Sequence, residues 1–478
     1  MRLRVIQTDL FVTECPSRLP FKFGSVTLDR ATLCLARMQV QAGPGPVIEG
    51  FASDLLVPKW FEKNPAKSPR EDAEDLLRSA MEAGQSFAAS GSELLTVFES
   101  WMRTHEDCVL SRPPDSPDLL VKGFGVALFE RALMDAACRA AGLSLADAIR
   151  QDLFSFRPAE ILPGLAGWDI AASLPARPQK SVLVRHTVGM LDPLRVADVP
   201  EGARISDGLP QALEEDIERY GLRRFKVKIG GGHANDVRRL LDLAQLFDER
   251  DMGPVSWTAD GNEQFEDMQQ LLEVLQEVAT HTKGIRLLKD LEFIEQPLAR
   301  EKTFDEGSCA AMSDVQQFAP VIIDEADTNI DSFPRARELD YAGVSVKNCK
   351  GVFRALLNRG LCERSEGACF QTAEDLTNLG GIPLQQNLAT IAALGFAHAE
   401  LNGHHYFRGL DHLPESEIEA ATAAHPDLYG TLGDTMALKI HNGRIAMDSI
   451  QCPGFGYAFP VLAEERTPAE RWLSEGGS

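Results

Sequence analysis

Residues 255–297 read VSWTADGNEQFEDMQQLLEVLQEVATHTKGIRLLKDLEFIEQP. Two short apolar runs, Val255–Ala259 and Leu291–Ile294, flank a stretch at Asp267–Val278 whose apolar residues recur every three or four positions. Continuous apolar runs of this length are typical of buried parallel strands, and the spacing between them is typical of an amphipathic helix. The segment therefore predicts one strand–helix–strand unit.

The same unit recurs along the chain between residues 182 and 401. Eight apolar runs are predicted to be strands: Val182–His186, Phe225–Ile229, Val255–Ala259, Leu291–Ile294, Val321–Ile323, Gly343–Val346, Ala368–Phe370 and Ala397–Leu401. Eight strands alternating with helices favour an α/β fold of the (β/α)8 TIM-barrel type, which we expect to occupy residues 151–420. An open, doubly wound sheet remains the alternative. Gly230–Gly232 lacks the GxGxxG spacing, so a dinucleotide site is not indicated.

Residues 1–150 have a different pattern of apolar and polar residues, which predicts a separate α+β domain. Three alternating segments predict a meander of strands, and two later segments have helical periodicity: Arg2–Val12, Ala31–Gln41 and Pro46–Phe51, then Ser68–Arg103 and Gly123–Ala141. A stretch rich in Pro, Gly and Ala, 156–179, predicts the boundary to the barrel. Residues 421–478 are expected to return to the first domain.

Composition excludes several classes of partner. The chain has 48 Lys and Arg against 71 Asp and Glu, a formal charge of −23, which argues against nucleic-acid binding. It has no apolar run long enough to span a membrane, and its start lacks the apolar segment of a signal peptide. The 9 Cys are scattered without a CxxC pair, as in reduced cytosolic proteins. We therefore expect a cytoplasmic protein without a membrane partner.

Ionisable residues end five consecutive predicted strands. In chain order these ends read Lys226-Val227-Lys228, Asp260-Gly261-Asn262, Glu295-Gln296-Pro297, Asp324-Glu325 and Lys347-Asn348. Their spacings of 32, 35, 29 and 23 residues each correspond to about one repeat. A single Asp or Lys at a strand end is usually a solvated loop residue. Because the carboxyl ends of barrel strands meet at one face, five such ends together predict an active site.

The three acids and the lysines suggest a chemistry. Asp260, Glu295 and Asp324 would repel one another unless a cation lay among them, and oxygen ligands favour Mg²⁺ first and Mn²⁺ next. Lys226 and Lys228 are two residues apart on one strand and so point into the barrel mouth, with Lys347 on the far side. We expect neighbouring cations and partial desolvation to lower a lysine's pKa, which suits a general base.

These motifs resemble the muconate lactonizing branch of the enolase superfamily, within the mandelate racemase and muconate lactonizing enzyme family. The resemblance covers nearly the whole chain. It rests on the KxK, DxN, EQP, DE and K series, on Phe129–Asp135, and on Pro20–Gly24 and Gly50-Phe51, which resemble loops of a capping domain that closes over substrate. It implies that residues 1–150 form such a capping domain.

The resemblance also implies roles for the strand-end residues. Asp260, Glu295 and Asp324 would bind Mg²⁺, and Lys226 would help to hold a substrate carboxylate. Lys228 and Lys347 would act as acid and base on opposite faces of an enediolate, a chemistry for which a lysine base and Mg²⁺ are general in this superfamily. Racemisation or epimerisation is expected. A lyase reaction (dehydratase or cycloisomerase) stays open, as does, more remotely, a non-catalytic carboxylate-binding protein. A homo-oligomer is expected.

Departures from the family pattern restrict the substrate. The predicted seventh strand lacks the histidine of mandelate racemases, and the eighth lacks the Asp-x-Asp typical of dipeptide epimerases. Further residues are expected near the substrate or behind the ligands: Asn262, Glu325, Gln371, Glu374, Asp375, His404, Phe21 and Phe51.

Overall fold

The computed structural model describes residues 1–23, 26–89, 91 and 93–475. It contains an antiparallel sheet near the N-terminus and a closed barrel of parallel strands. Within the described residues, no helix is long and apolar enough to cross a bilayer.

In the N-terminal sheet the first strand pairs with the second and the second with the third, while the short fourth strand and Thr467–Pro468, from the end of the chain, also pair with the first. Its strands are β1 (Arg2–Phe23), β2 (Val26–Gln41), β3 (Val47–Leu55) and β4 (Leu95–Thr96). β1 extends well beyond the predicted segment, since its second half continues to pair with β2 as far as Phe23 and Val26. β3 likewise runs four residues past the predicted end, because it pairs with β2 as far as Leu33.

Within the described residues of this region there are four α-helices and one π-helical segment, Glu106–Leu110. The α-helices are α1 (Pro69–Ala89), α2 (Val97–His105), α3 (Leu119–Ala141) and α4 (Leu145–Arg150). The single helical segment predicted at Ser68–Arg103 is wrong. Thr96 interrupts it by pairing with Arg2 of β1 and by capping α2 in a reciprocal pair of hydrogen bonds with Glu99.

Eight parallel strands form the barrel, and their order confirms the predicted fold class. They are β5 (Ser181–Val188), β6 (Arg224–Lys228), β7 (Ser256–Asp260), β8 (Leu291–Glu295), β9 (Val321–Ile323), β10 (Gly343–Val346), β11 (Phe370–Ala373) and β12 (His398–Glu400). Each strand pairs with the next, and β12 pairs with β5, which excludes an open sheet. β11 begins two residues later and ends three residues later than predicted, so Glu374 directly follows it.

Helices surround these strands and follow them toward the C-terminus. They are α5 (Ile170–Ser173), α6 (Leu213–Tyr220), α7 (His233–Glu249), α8 (Met268–Val278), α9 (Thr282–Lys289), α10 (Met312–Val315), α11 (Ser332–Glu338), α12 (Val352–Arg364), α13 (Ile382–Leu394), α14 (Gly403–Tyr406), α15 (Glu415–Ala424) and α16 (Ala469–Glu475).

The last part of the chain contacts both the barrel and the N-terminal sheet. β13 (Tyr429–Leu432) and β14 (Thr435–Leu438) form a hairpin. β15 (Arg444–Ala446) pairs antiparallel with β5 of the barrel. β16 (Thr467–Pro468) pairs with β1, where Thr467 lies opposite Val12.

Candidate active site at the barrel mouth

Lys226 is enclosed by acids at the carboxyl ends of the strands. Its Nζ lies 2.8–2.9 Å from four carboxylates, those of Asp260, Glu295, Glu374 and Glu400. Burial alone would lower the pKa of Lys226, but these carboxylates outweigh it and raise the pKa well above its ordinary value. Lys226 is therefore a fixed positive charge.

Asp324 is the centre of a second cluster. Its Oδ2 lies 3.1 Å from Lys347 Nζ and its Oδ1 lies 3.2 Å from Lys350 Nζ, while Ser345 donates a hydrogen bond to the carboxylate. The two lysines outweigh the effect of burial and hold the pKa of Asp324 below its ordinary value. Sequence reasoning missed Lys350, although it lies only three residues beyond Lys347, in the same short helical turn.

Lys228 belongs to a third cluster. Its Nζ lies 2.6 Å from Asp260 Oδ2 and also donates to Asn262. Asn262 in turn donates from Nδ2 to Glu325 Oε1 at 2.7 Å. Lys228 and Asp260 are register partners on β6 and β7, which explains why the two side chains meet.

Residues of β5, β11 and β12 complete the barrel mouth. Arg185 points into the barrel and forms an ion pair with Glu374, with both side chains fully buried. Two residues further along β5, Thr187 donates to Glu400 Oε1 at 2.6 Å. Sequence reasoning missed Arg185 and Glu400, although Glu400 ends a strand in the same way as the predicted acids.

Several of these acids have a pKa above the ordinary value. Burial and the charge of Glu374 raise the pKa of Glu295 well above its ordinary value. Burial and Asp324 raise the pKa of Glu325 to about 7. Burial and Glu400 raise the pKa of Asp375 to about 8. These shifts indicate that negative charge is in excess at the barrel mouth.

Lys347 departs from the expectation of a lowered pKa. Burial alone would lower its pKa, but the nearby carboxylate of Asp324 outweighs burial and raises it well above the ordinary value. The ammonium form of Lys347 is therefore favoured in the structure.

The donor set fits a divalent cation by charge and by chemistry. Seven carboxylates face five cationic side chains: Asp260, Glu295, Asp324, Glu325, Glu374, Asp375 and Glu400 against Arg185, Lys226, Lys228, Lys347 and Lys350. Glu295 Oε2, Asp324 Oδ2 and Glu325 Oε2 have no hydrogen bond within the described residues. With all of these groups ionised, the set has two excess negative charges, and its oxygen donors match the preference of Mg²⁺. In the structure, lysine ammonium groups form ion pairs with the three predicted ligands. Lys226 pairs with Asp260 and Glu295, and Lys347 and Lys350 pair with Asp324.

A loop of the N-terminal region closes over this site. Trp60 lines the same cavity as Lys228, Asn262, Lys347 and Asp375. The cavity has a volume of ≈ 40 Å³.

Two basic residues hold that loop on the barrel. Lys63 Nζ donates to the carbonyl of Asn262 at 2.8 Å, and Arg300 donates to the carbonyl of Trp60 at 2.7 Å.

Three predicted pocket residues lie elsewhere, and these predictions need correction. Phe51 packs against Phe11 and its neighbours in a separate apolar cluster, because β3 turns this side chain away from the barrel mouth. Gln371 lies on the outer face of β11 and donates to the carbonyl of Ala355 at 2.8 Å. His404 packs against His186, outside the strand wall, with ring centroids 5.3 Å apart. The side chain of Phe21 lies outside the described residues.

Comparison with known proteins identifies the family. Residues 209–459, more than half of the chain, match the family model described as Enolase C-terminal domain-like. The chain belongs to the enolase superfamily. It is thus a member of a superfamily of enzymes, and the matched stretch includes every predicted metal ligand and lysine. No curated protein matches the chain by sequence.

Solved structures share the fold of this enolase-superfamily member across nearly its whole length. A muconate lactonizing enzyme from Pseudomonas fluorescens, complexed with muconolactone, is 16% identical with a TM-score of 0.61, covering 97% of this chain and 98% of its own. A Bradyrhizobium enolase, complexed with magnesium and mandelic acid, is 15% identical with a TM-score of 0.61, covering 98% and 99%. A dipeptide epimerase from Cytophaga hutchinsonii, complexed with Mg and D-Ala-L-Val, is 14% identical with a TM-score of 0.59, covering 97% and 99%.

Proposed function

We propose that this protein abstracts the proton α to a substrate carboxylate and returns a proton on the opposite face, as a Mg²⁺-dependent racemase or epimerase. The observation that carries the proposal is the placement of Lys228 and Lys347. Lys228 ends β6 and Lys347 follows β10. These strands are four positions apart in a ring of eight and therefore lie across the barrel from each other. Both line the same cavity.

Asp260, Glu295 and Asp324 are the residues that would hold the cation. When bound, Mg²⁺ supplies positive charge where negative charge develops on the substrate carboxylate. Lys226 contributes a second, permanent positive charge for that carboxylate, since the acids around it keep it protonated.

The two remaining lysines move the protons. In one direction, the electron pair on neutral Lys228 Nζ accepts the α-proton, and the electrons of the broken C–H bond pass into the carboxylate as an enediolate. Lys347, whose ammonium form Asp324 favours, donates a proton to the other face of the same carbon. The configuration inverts and both lysines have exchanged protonation states, so the reverse reaction uses them in opposite roles.

The loop of the N-terminal region that carries Trp60 supports this chemistry by limiting the access of water to the cavity. Trp60 is 3% exposed and forms one wall of the cavity between the lysines. Exclusion of water strengthens the electrostatic interactions on which carbanion formation depends.

Proton NMR in D2O with Mg²⁺ tests the proposal. N-acylated amino acids, dipeptides and sugar acids would be screened for loss of the α-proton signal. Exchange with retained connectivity and inversion at the α-carbon supports a racemase or epimerase. New vinyl or keto signals would show a lyase on the same site. No exchange with any carboxylate that binds in the presence of Mg²⁺ would overturn the proposal.

A further inference from the structure

A cluster of two histidines and an aspartate lies on the outer side of the barrel wall. His186 belongs to β5, Asp216 to α6 and His405 to α14, and each is at most 3% exposed. Side chains alternate along β5: Thr187 points inward to Glu400, and His186 points outward. The cluster is therefore separated from the barrel mouth by the strand itself.

The three donor atoms are spaced like the ligands of a metal ion. Asp216 Oδ2 lies 3.2 Å from His405 Nδ1 and 3.6 Å from His186 Nε2. All three donors lie within 4.8 Å of one another. With bonds of about 2.0–2.2 Å, the ligands of a tetrahedral Zn²⁺ site lie about 3.3–3.6 Å apart. The two separations from Asp216 Oδ2, 3.2 and 3.6 Å, are close to that geometry, and the two histidine nitrogens lie within 4.8 Å of each other.

Hydrogen bonding accounts for only part of the cluster. Asp216 Oδ2 and His405 Nδ1 are in polar contact at 3.2 Å. Within the described residues, Asp216 Oδ1 and His405 Nε2 have no hydrogen-bond partner. A buried carboxylate without full hydrogen bonding is strongly disfavoured unless a cation compensates it. An imidazolium on His405 would supply the charge but not the missing directional contacts.

The surroundings leave room for a fourth ligand. Both ring nitrogens of neighbouring His404 are buried and lack a hydrogen-bond partner within the described residues. A cavity of ≈ 20 Å³, lined in part by His404 and Tyr220, lies beside it and is large enough for one water molecule. Because His404 does not belong to the set of three close donors, a water molecule would be the fourth ligand of a four-coordinate site.

We propose that His186, Asp216 and His405 bind one Zn²⁺ ion, or a transition-metal ion of the same class. Two imidazoles and one carboxylate suit such an ion, whereas the all-oxygen set at the barrel mouth suits Mg²⁺. The ion would fasten α6 and α14 to β5. α14 follows β12, which ends at Glu400. The role of the ion would therefore be to fix the backbone behind the candidate active site.

Metal analysis of the full chain, purified without chelators from zinc-supplemented medium, tests this proposal. Mass spectrometry of the metals should find one zinc ion per wild-type chain. His405→Ala and Asp216→Asn should lose it. His233→Ala is the matched control, because His233 pairs with Glu277 at the surface, and it should retain zinc. Glu295→Gln should also retain zinc, because Glu295 belongs to the barrel mouth.

A second measurement does not depend on whether the variants fold. Wild-type protein is dialysed against a chelator and then titrated with Co²⁺, which should give the visible absorption of a four-coordinate site with nitrogen ligands. Zn²⁺ should displace the signal, and Mg²⁺ should not. Absence of both zinc and the cobalt spectrum would overturn the proposal, and so would full zinc content in a folded His405→Ala variant.

Discussion

The ammonium group of Lys347 lies 5.4 Å from the centre of the Trp60 ring. Trp60 comes from the loop after β3, and Lys347 follows β10, so the contact joins the N-terminal region to the far side of the barrel mouth. Arg300 holds the loop in place through the carbonyls of Trp60 and Phe61, each at 2.7 Å. The loop therefore contacts Lys347, which we propose transfers a proton, as well as covering the cavity.

Substitution Trp60→Ala should lower the rate of α-proton exchange roughly 3- to 30-fold, the range that corresponds to loss of one cation–π contact. Trp60→Phe should retain most of the rate, because it keeps an aromatic face above the ammonium group. Exchange rates would be measured by NMR with any substrate found in the screen. Trp168→Phe is a control, since Trp168 lies outside the barrel and donates to Glu363. Equal rates in Trp60→Ala and wild type would show that the contact has no role.

The two lysines should have separate roles that depend on the substrate enantiomer. Lys228→Met should abolish α-proton exchange from one enantiomer, and Lys347→Met should abolish it from the other. Each rate should fall by about 10²–10⁴-fold. Initial rates from each pure enantiomer in D2O would be compared. Lys180→Met should behave like wild type, since this lysine is exposed and pairs with Asp448.

The same variants distinguish inversion from elimination. If Lys228→Met abolishes α-proton exchange from both enantiomers and Lys347→Met from neither, a single base acts and the racemase assignment is wrong. Binding of Mg²⁺ should survive in both variants, because the oxygen donors are unchanged.

Arg185 should be needed for stability because it neutralises Glu374 inside the barrel. Both side chains are fully buried, and Arg185 also donates to the carbonyl of Ala373 at 3.2 Å. Arg185→Met should lower the free energy of unfolding by about 1–3 kcal/mol, because, within the described residues, buried Glu374 loses one of its two cationic partners and keeps only Lys226. Adding Glu374→Gln should recover part of the loss. Urea unfolding of the two single variants and the double variant measures the coupling between Arg185 and Glu374. If the two losses in free energy of unfolding simply add, the residues are not coupled and the prediction is wrong.

The sequence predicts the barrel and its polar strand ends for a physical reason. A parallel strand buried on both faces must be apolar throughout, so a charged residue at its end is conspicuous. Asp260 and Glu295 each end a strand, and Asp324 and Lys347 each follow one directly, as such a pattern predicts. The strand order then brings them to one face without any further information.

The remaining contacts depend on packing that a local pattern does not encode. The loop that carries Trp60 is held at the barrel mouth by contacts between residues distant in sequence, Lys63 with the carbonyl of Asn262 and Arg300 with the carbonyl of Trp60. Arg185 sits inside a strand where the pattern predicts an apolar residue, and its partner becomes visible only when β5 and β11 are brought together. His404 follows a barrel strand but turns outside it with α14, so position along the chain misplaced it.

Gly50 should be essential where β3 crosses α3. A Cβ at this position would lie 2.5 Å from the backbone nitrogen of Ala136 and would also overlap the carbonyl oxygen of Ala132. Gly50→Ala should therefore lower the free energy of unfolding by about 1–3 kcal/mol through overpacking. Gly164→Ala is the matched control, since a Cβ there meets no atom within 4 Å. Thermal or urea unfolding compares the two, and equal stability would show that β3 can shift to accommodate the methyl group.

His105 should make the protein sensitive to acid. The side chain is 2% exposed and stacks on Trp101 with ring centroids 5.0 Å apart. Burial, with a contribution from the charge of Arg354, lowers the pKa of His105 to about 3. Between that value and the ordinary pKa of about 6.5, the unfolded chain binds a proton that the folded chain does not. Stability therefore falls as the pH is lowered through this window.

At pH 5 this single histidine should account for a loss of about 2 kcal/mol relative to pH 8. Replacing it by glutamine removes the titrating group, so the decrease in free energy of unfolding between pH 8 and pH 5 should be smaller by that amount. Urea unfolding at both pH values measures the difference for wild type and His105→Gln. His281→Gln, at an exposed histidine, should show the wild-type decrease. If His105→Gln also shows the full decrease, His105 gains its proton in the folded state without cost, and acid sensitivity comes from other groups.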